Sequence, residues 1–238
     1  MDEIISNDID ISWMPFLYRD DILDFLHNVS KQYKNGVTSP NKKDILRFMK
    51  QDLLTAKYVL YGQDPYPRIN GKMVATGRCF EPNNYTSWLN NTPNASIRNI
   101  LRAIYGYDKN ITNPSIDLIR EDIKNNNYII SIPTTFFDNL EKQGIILLNY
   151  GLTVQDEPMS DINLWDSFQE KLIKYMNLRN TNLKYILWGS KVADLFKEAS
   201  DINPYNNPDI AIVDKHPSVN KFVTENITFK LTPNINWH

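Results

Sequence analysis

The chain has 238 residues, of which 42% are hydrophobic and 23% charged, so it is long enough for one domain with a full hydrophobic core and resembles ordinary soluble globular proteins. Its formal net charge of -2 excludes a broadly basic nucleic-acid coat, so any DNA contact must come from a local positive face or from backbone donors. The single cysteine, Cys79, excludes an internal disulfide and a cysteine-rich zinc site, and it fits a reducing compartment.

The first residues of the chain carry no export or membrane signal. Met1-Asp2-Glu3 is acidic and is not followed by the basic and apolar segments of a signal peptide, and no later apolar run is long enough to span a bilayer. We therefore expect a cytoplasmic protein, bacterial or viral within a host cell, that is not secreted and has no membrane partner.

The first part of the chain predicts an irregular arm followed by helices. Residues 1 to 18 are expected to form the arm and to pack aromatic side chains onto the body, because Ile11 to Leu17 is too short for a helix and contains Pro15. Apolar residues at helical spacing predict one helix from Asp20 to about Lys34 and a second from Lys42 to Leu54.

Four apolar runs of strand-forming residues alternate with helical patterns in the rest of the chain. The strands are predicted at 57–61, 144–149, 184–190 including its turn, and 210–214. The helices are predicted at 95–105, 115–124, 136–142, 164–178 and 192–199. This alternation favours parallel strands covered on both faces. The predicted fold class is α/β: a single domain over residues 1 to 238, built as a three-layer α/β/α sandwich around a mostly parallel four-stranded sheet.

Polar residues stand at the carboxyl end of each predicted strand. Gln63 and Asp64 follow the first strand, Asn149 ends the second, Gly189 lies after the third and His216 after the fourth. Because parallel strands bring these ends to one edge of a sheet, we expect the side chains to gather along one rim. A carboxylate, an amide and an imidazole suit hydrolysis without a metal or cofactor. From the residues alone the substrate stays open.

The turn after the first strand carries the most specific motif. Gly62-Gln63-Asp64-Pro65-Tyr66 matches letter for letter the water-activating motif of the family 1 uracil-DNA glycosylases, and the chain resembles that family. Further segments are similar to other signatures of the family, in the expected order; they are Gly77–Phe80, Gly144–Asn149 with Leu152–Val154, Leu187–Ser190, His216–Ser218 and Pro233–Trp237. Several ordered motifs make the resemblance far more specific than one motif does.

The resemblance implies an enzyme of base excision repair. Such an enzyme flips deoxyuridine out of DNA, hydrolyses its N-glycosidic bond, and leaves free uracil and an abasic site. Asp64 would position the attacking water and stabilise the sugar cation. A neutral His216 would hydrogen-bond uracil O2 as negative charge develops there. The resemblance implies neither a metal nor a cofactor.

Four further residues are implied to bind the base. Asn149 would pair with N3-H and O4 of uracil, because its amide offers one acceptor and one donor. Phe80 would stack on the flipped ring, and Tyr66 would exclude the methyl group of thymine. Gln63 would contribute backbone donors near the base.

A third group of residues is implied to contact the DNA backbone. Ser96, Ser190 and Ser218 would hold phosphates through hydroxyl and backbone N–H groups, although Ser96 is equally well placed to cap the following helix. The set is completed by Pro67, Val219 and Asn220. The expected partners are uracil-containing single- and double-stranded DNA and, as a further candidate, a proteinaceous uracil-glycosylase inhibitor. The chain is expected to be a monomer.

Two positions depart from the family pattern. Pro67 stands where most members carry His, and in this respect the chain is similar to the divergent poxvirus branch. Asn220 stands where the family has a Leu that is pushed into the duplex. We expect a lower rate from the first change, and from the second a lower efficiency on duplex than on single-stranded DNA. Two alternatives remain: a DNA-binding accessory or processivity subunit with weak or no activity, and a thiol hydrolase that uses Cys79 with His216.

Overall fold

Four short strands form one sheet in the computed structural model, which describes residues 4 to 92 and 94 to 238. The strands are β1 (Tyr58–Gly62), β2 (Ile145–Asn149), β3 (Lys184–Trp188) and β4 (Ala211–Asp214). Their order across the sheet is β2-β1-β3-β4, and every pairing is parallel. The predicted α/β fold is confirmed, and the sheet is parallel throughout rather than mostly so.

Successive residues of the strands face opposite sides of the sheet, and both sides are buried. In β1, Val59 and Tyr61 belong to one core cluster, whereas Tyr58 and Leu60 belong to the other. Helices cover both faces of the sheet, so both faces are apolar. This explains why the strands appear in the sequence as uninterrupted runs of apolar residues.

Helices and single helical turns form the two outer layers. The face of Val59 is covered by α1 (Met14–Leu17), α2 (Asp20–Gln32), α6 (Asp166–Arg179) and α7 (Ser190–Ser200). The face of Leu60 is covered by α3 (Ala95–Lys109), α4 (Ile116–Lys124), α5 (Pro133–Lys142), α8 (Lys221–Thr224) and α9 (Thr228–Leu231). None of the helices described has the length and apolar character that crossing a membrane requires.

The N-terminal segment is more regular than predicted. A 3-10 turn at Ile11–Trp13 leads directly into α1. Pro15 lies in the first turn of α1, where no intrahelical hydrogen bond is lost, so it starts the helix rather than interrupting it. Trp13 is fully buried, with its ring centroid 5.5 Å from that of Phe48. Residues 1 to 3 of the predicted arm lie outside the described residues.

The predicted helix over residues 42 to 54 is wrong. That segment forms two separate 3-10 turns, Lys42–Asp44 and Arg47–Lys50. The carbonyl of Met49 accepts the N–H of Asp10 at 2.9 Å, and the carbonyl of Gln51 accepts the indole N–H of Trp13 at 2.7 Å. These carbonyls therefore bond to the N-terminal segment, a long-range partner that the local apolar pattern does not reveal.

The remaining helices are confirmed with shifted ends. Helix α3 continues to Lys109, where Asn110 in the left-handed conformation ends it. Helix α6 begins at Asp166, after a 3-10 turn at Ile162–Trp165. The single turns α8 and α9 were not predicted, because four residues are too few to show a helical period.

Candidate active site

A cavity of about 450 Å3 opens at the carboxyl edge of the sheet, where β1 and β3 end. The chain passes from β1 to β2 on one side and then returns to β3 on the other, and binding crevices in such sheets form at this switch point. Most of the predicted site residues line the cavity: Gln63, Asp64, Tyr66, Pro67, Phe80, Asn149, His216, Ser96, Ser190 and Ser218. The expected gathering along one rim is therefore what the structure shows.

The carboxylate of Asp64 is held from two sides. Its Oδ1 accepts the side-chain amide N–H of Gln63 at 3.1 Å, and its Oδ2 accepts the backbone N–H of Met159 at 2.7 Å. Burial raises the pKa of the Asp64 carboxyl above its ordinary value, and these two N–H donors partly offset that effect. The group is thus a partly desolvated, oriented carboxylate, as a water-activating residue requires.

The Met159 contact is a feature of the site that the sequence did not indicate. Met159 adopts a left-handed backbone conformation with φ of 66°, and the preceding Pro158 lines the cavity. A backbone N–H is present at every residue except proline, so no residue type marks the one that will meet a carboxylate. The only usable signal would have been Pro158, which stiffens a loop close to a strand end.

Asn149 lies at the floor of the cavity and depends on a glycine beside it. The residue is 3% exposed and pairs across the sheet with Gly62. A Cβ atom on Gly62 would lie 2.4 Å from Asn149 Oδ1 and 2.7 Å from Cβ of Cys79. Only glycine therefore lets the amide occupy this position, which gives the first residue of the motif a steric role.

The imidazole of His216 is fixed in one tautomer. The backbone N–H of Ser218 donates to His216 Nδ1 at 3.1 Å, and the Ser218 hydroxyl lies 2.7 Å from the same atom. Because a backbone N–H can only donate, Nδ1 is an acceptor and the proton of the neutral ring lies on Nε2. Burial lowers the pKa of His216, which favours that neutral form at neutral pH. His216 thus offers a single N–H donor to the cavity.

Phe80 forms an aromatic wall of the cavity. Its ring centroid lies 5.3 Å from that of Trp188 and 6.0 Å from that of His216. Its φ is 62°, a left-handed conformation that is uncommon for a bulky residue and costs roughly 1–2 kcal/mol. The hydroxyl of Tyr66 donates to the carbonyl of Phe80 at 3.3 Å, so these two predicted base-binding residues are joined directly.

The three serines have different surroundings. Ser96 does not cap α3, because Asn94 is the N-cap and its side chain accepts the N–H groups of Ser96 and Ile97. The capping alternative is therefore wrong, and Ser96 lines the cavity while only 8% exposed. The Ser218 hydroxyl is bonded to His216, whereas Ser190 stands at the first residue of α7.

Val219 and Asn220 do not line this cavity. Val219 is 45% exposed and borders a neighbouring cavity that shares Ser190 and His216 with the first. The Asn220 side chain accepts a hydrogen bond from Arg102 Nη1 at 3.0 Å. Asn220, in the position of the family's wedge residue, is thus tied to α3.

Cys79 is unsuited to nucleophilic catalysis. The side chain is fully buried, and its thiol donates to the carbonyl of Leu60 at 3.2 Å. Burial raises the pKa of the Cys79 thiol well above its ordinary value, so the reactive thiolate does not form at neutral pH. The structure therefore contradicts the thiol-hydrolase alternative.

No family model matches the chain, but individual relatives do. The chain is 30% identical over 204 residues to the uracil-DNA glycosylase of Mycoplasmopsis pulmonis, a match that covers 84% of this chain and 76% of the relative. It is similar in fold to the wild-type UNG of Nitratifractor salsuginis, with a TM-score of 0.69, 21% identity, and coverage of 96% of this chain and 92% of the other. A variant of mimivirus UNG, solved in complex with UGI, matches with a TM-score of 0.58, 21% identity, and coverage of 91% and 74%.

Among residues 4 to 92 and 94 to 238, no three histidine, cysteine or carboxylate side chains are grouped in a way that could hold a metal ion. The polar side chains that line the cavity include a carboxylate, two amides, an imidazole and three serine hydroxyls. Together with 30% identity to the M. pulmonis enzyme over most of both chains, this cavity leads to one conclusion: the chain belongs to the uracil-DNA glycosylase family.

Proposed function

We propose that this chain hydrolyses the N-glycosidic bond of deoxyuridine in DNA with Asp64 and His216 as its catalytic residues. One observation carries the assignment of roles. A partly buried carboxylate, a buried amide, an aromatic wall and an imidazole N–H donor line one cavity at the carboxyl edge of the sheet. The flipped nucleotide would enter this cavity from the DNA surface.

The proposed reaction uses the two ends of the cavity for opposite charges. As the bond between C1′ of the sugar and N1 of uracil breaks, its electron pair leaves with the base and charge develops at O2. The Nε2–H of His216 donates to that oxygen, a preorganised interaction of the kind worth about 3–4 kcal/mol in other enzymes. Asp64 stabilises the cationic sugar and orients a water that adds to C1′, and the carboxylate accepts the proton that the water loses.

Base selection would depend on a few buried groups. Asn149 offers a donor and an acceptor that fit O4 and N3-H of uracil and mismatch the edge of cytosine. A buried amide left unpaired rejects the wrong base strongly. Phe80 would cover one face of the ring, and Tyr66, bonded to the Phe80 carbonyl, would stand where thymine carries its methyl group.

DNA contact would come from the rim of the cavity rather than from a basic surface. Ser190 begins α7 and its neighbour Lys191 also lines the cavity, so a hydroxyl, backbone N–H groups and one cation are available to a phosphate. Ser218 contributes through His216, whose tautomer it fixes. Pro67 also lines the cavity, but as a proline it offers no polar side chain beside Asp64.

Measuring uracil release from single-stranded, U:G and U:A oligonucleotides tests the proposal. We expect the wild type to release uracil, but neither thymine nor cytosine, and Asp64→Asn to lower the rate by about 10²–10⁴-fold, the usual contribution of such a group. Asp117→Asn is the matched control, because that carboxylate lies on α4 with its side chain 91% exposed. Absence of release from every substrate, with DNA binding intact, would leave the accessory-subunit function instead.

The setting of the reaction follows from its substrate. Uracil-containing single- and double-stranded DNA is the proposed partner, and we place the protein in the compartment that holds DNA, the cytoplasm of a bacterium or of an infected cell. A proteinaceous inhibitor is a further proposed partner, since a fold neighbour was solved in complex with UGI. Adding UGI to the uracil-release assay tests this, and undiminished release would rule UGI out.

A further inference from the structure

We infer that Arg78 is a positioning residue for base recognition, which holds the Phe80 ring in place for the uracil. This inference rests on the proposed function and adds a residue to it. Arg78 lies two positions before Phe80 and does not itself line the cavity, and its buried guanidinium is paired with the carboxylates of Glu81, Asp138 and Glu141.

The guanidinium of Arg78 is clamped by carboxylates from two parts of the chain. Nε donates to Glu141 Oε1 at 2.8 Å, and Nη2 donates to Glu141 Oε2 and, at 2.6 Å, to Asp138 Oδ1. Nη1 donates to Glu81 Oε1 at 3.0 Å. Burial opposes the charge of Arg78, but Glu141 and its neighbours outweigh burial and keep the pKa of the guanidinium above its ordinary value. The residue is therefore a fixed cation, and its planar fork sets the direction of each bond.

The cluster is poorly explained as a source of stability. The side chain of Arg78 is 5% exposed and that of Glu81 is 7% exposed, and Glu81 Oε2 has no hydrogen-bond partner among the residues that the structure describes. Asp138 is 49% exposed and Glu141 is 18% exposed, so only the pair of Arg78 and Glu81 is deeply buried, and buried ion pairs often contribute no more than apolar residues of similar volume would. What such a cluster supplies is a defined geometry.

That geometry is needed because the turn it holds is strained. Phe80 has φ of 62°, which is strained for a residue with a side chain, whereas Gly77 at the start of the same turn has φ of 87°, which glycine adopts without strain. A strained conformation such as that of Phe80 persists only where the surroundings over-determine it. Arg78 and Glu81 bracket Phe80 and are bonded to each other, while Cys79 is locked in the core by its bond to Leu60. Phe80 thus stands between anchors on both sides.

The clamp also connects Phe80 to the base-reading amide. Asp138 and Glu141 belong to α5, which ends at Lys142. The N–H of Gly144 donates to the carbonyl of Glu141 at 2.9 Å, and β2 follows at once and ends at Asn149. The stacking ring and the amide are therefore mounted on one rigid unit, which fixes the slot between the ring and the hydrogen-bonding edge.

Inhibition of uracil release by free uracil is the readout that tests this role. Arg78→Lys keeps the charge but loses the fork, so we expect the inhibition constant and KM each to rise about threefold to tenfold, a part of what base stacking on the Phe80 ring supplies. Affinity for uracil-free DNA should not change. If Arg78→Lys fails to fold, Glu141→Gln, which keeps the side-chain shape, should show the same pattern.

Two comparisons separate positioning from general destabilisation. Asn180→Ala is the control, because Asn180 also makes a buried tie, donating to the carbonyls of Leu53 and Ala56, but does not line the cavity. It should lower the melting temperature and leave uracil inhibition unchanged. In a Phe80→Ala background, Arg78→Lys should have no further effect on the inhibition constant, since its effect acts through that ring.

The outcomes distinguish this inference from the proposed function. If the wild type releases uracil and Arg78→Lys has the same inhibition constant for uracil as the wild type, the role of Arg78 is overturned while the proposed function stands. The same holds if the effects of Arg78→Lys and Phe80→Ala on that constant simply add. A wild type that releases no uracil would overturn the proposed function and, with it, this inference.

Discussion

The two catalytic candidates have pKa shifts of opposite sign, and only that of His216 favours the form that the proposed mechanism uses at neutral pH. Burial raises the pKa of Asp64 above the ordinary value of about 3.9, and burial lowers the pKa of His216 below about 6.5. Near pH 7 the shift of His216 thus favours the neutral imidazole, whereas the shift of Asp64 opposes ionisation and is partly offset by the N–H donors of Met159 and Gln63. As the pH falls, Asp64 gains its proton earlier than an ordinary aspartate does, and His216 gains its proton later than an ordinary histidine does.

This leads to a prediction for the pH profile of uracil release. We expect kcat/KM to be level at neutral pH and to fall on the acid side, between roughly pH 6.5 and 4, as Asp64 and His216 take up protons. Because neither residue changes its protonation state near pH 8, we expect no decrease of kcat/KM on the basic side there. Single-turnover rates with a short single-stranded substrate would measure the profile, with circular dichroism at each pH to confirm folding. A profile that stays level down to pH 4 would contradict the role of Asp64 as an ionised, partly buried carboxylate.

At the scale of elements, the short turn α8 holds the residue in the wedge position. Asn220 precedes α8 without capping it, and its side chain instead accepts a hydrogen bond from Arg102 of α3. If Asn220 is replaced, Arg102 still donates hydrogen bonds to the Pro114 carbonyl and to the Asn113 side chain. The wedge position can therefore be changed without leaving the arginine unpaired.

Replacing Asn220 by leucine should change the preference between DNA forms. An apolar side chain that enters the base stack stabilises the flipped state in a duplex, where unstacking costs a few kcal/mol, and has less to contribute in a single strand. We expect Asn220→Leu to raise the ratio of duplex to single-strand rates by at least about threefold. Asn220→Ala, which breaks the same bond without adding a wedge, is the control. Equal ratios in the two variants would show that insertion at this position is not limiting.

The elements also show which parts of the structure the sequence could predict. The strands were predictable because burial on both faces leaves uninterrupted apolar runs, and the gathering of Gln63, Asp64, Asn149 and His216 followed from the shared edge of parallel strands. The roles of these residues and the rest of the proposed site came from the family resemblance. The segment from Lys42 to Leu54 was mispredicted because its carbonyls bond to residues about forty positions away rather than within a helix. The Met159 amide and the Arg78 clamp were missed for the same reason: their partners are distant in sequence, and local patterns do not encode them.

For the whole molecule, the net charge of -2 limits how DNA is bound. Lys191 lines the cavity, and Lys215 and Lys221 are exposed on the segments around His216. With so few cations near the proposed binding face, few counterions are released when DNA binds. Most of the binding free energy must then come from the flipped base and from hydroxyl and backbone donors.

We therefore predict a weak salt dependence of DNA binding. The slope of log affinity against log salt concentration should be about -2 to -3 for a uracil-containing duplex with inactive Asp64→Asn. Lys191→Gln should make the slope shallower by about one unit, whereas Lys184→Gln, an exposed change at the opposite edge of the sheet, should not. Fluorescence anisotropy across a salt series would measure both. A slope near -6 would show a larger basic interface than the structure provides.

The complete burial of Cys79 makes this chain convenient for site-directed labelling. The native thiol is inaccessible and its raised pKa suppresses the thiolate, so maleimide reagents will not modify it in the folded protein. A cysteine introduced at exposed Val219 would therefore carry a dye as the sole label, with no need for a cysteine-free background. A fluorophore there borders the neighbouring cavity that shares Ser190 and His216 with the proposed active site, so the arrival and departure of DNA could be followed in real time on the otherwise native protein.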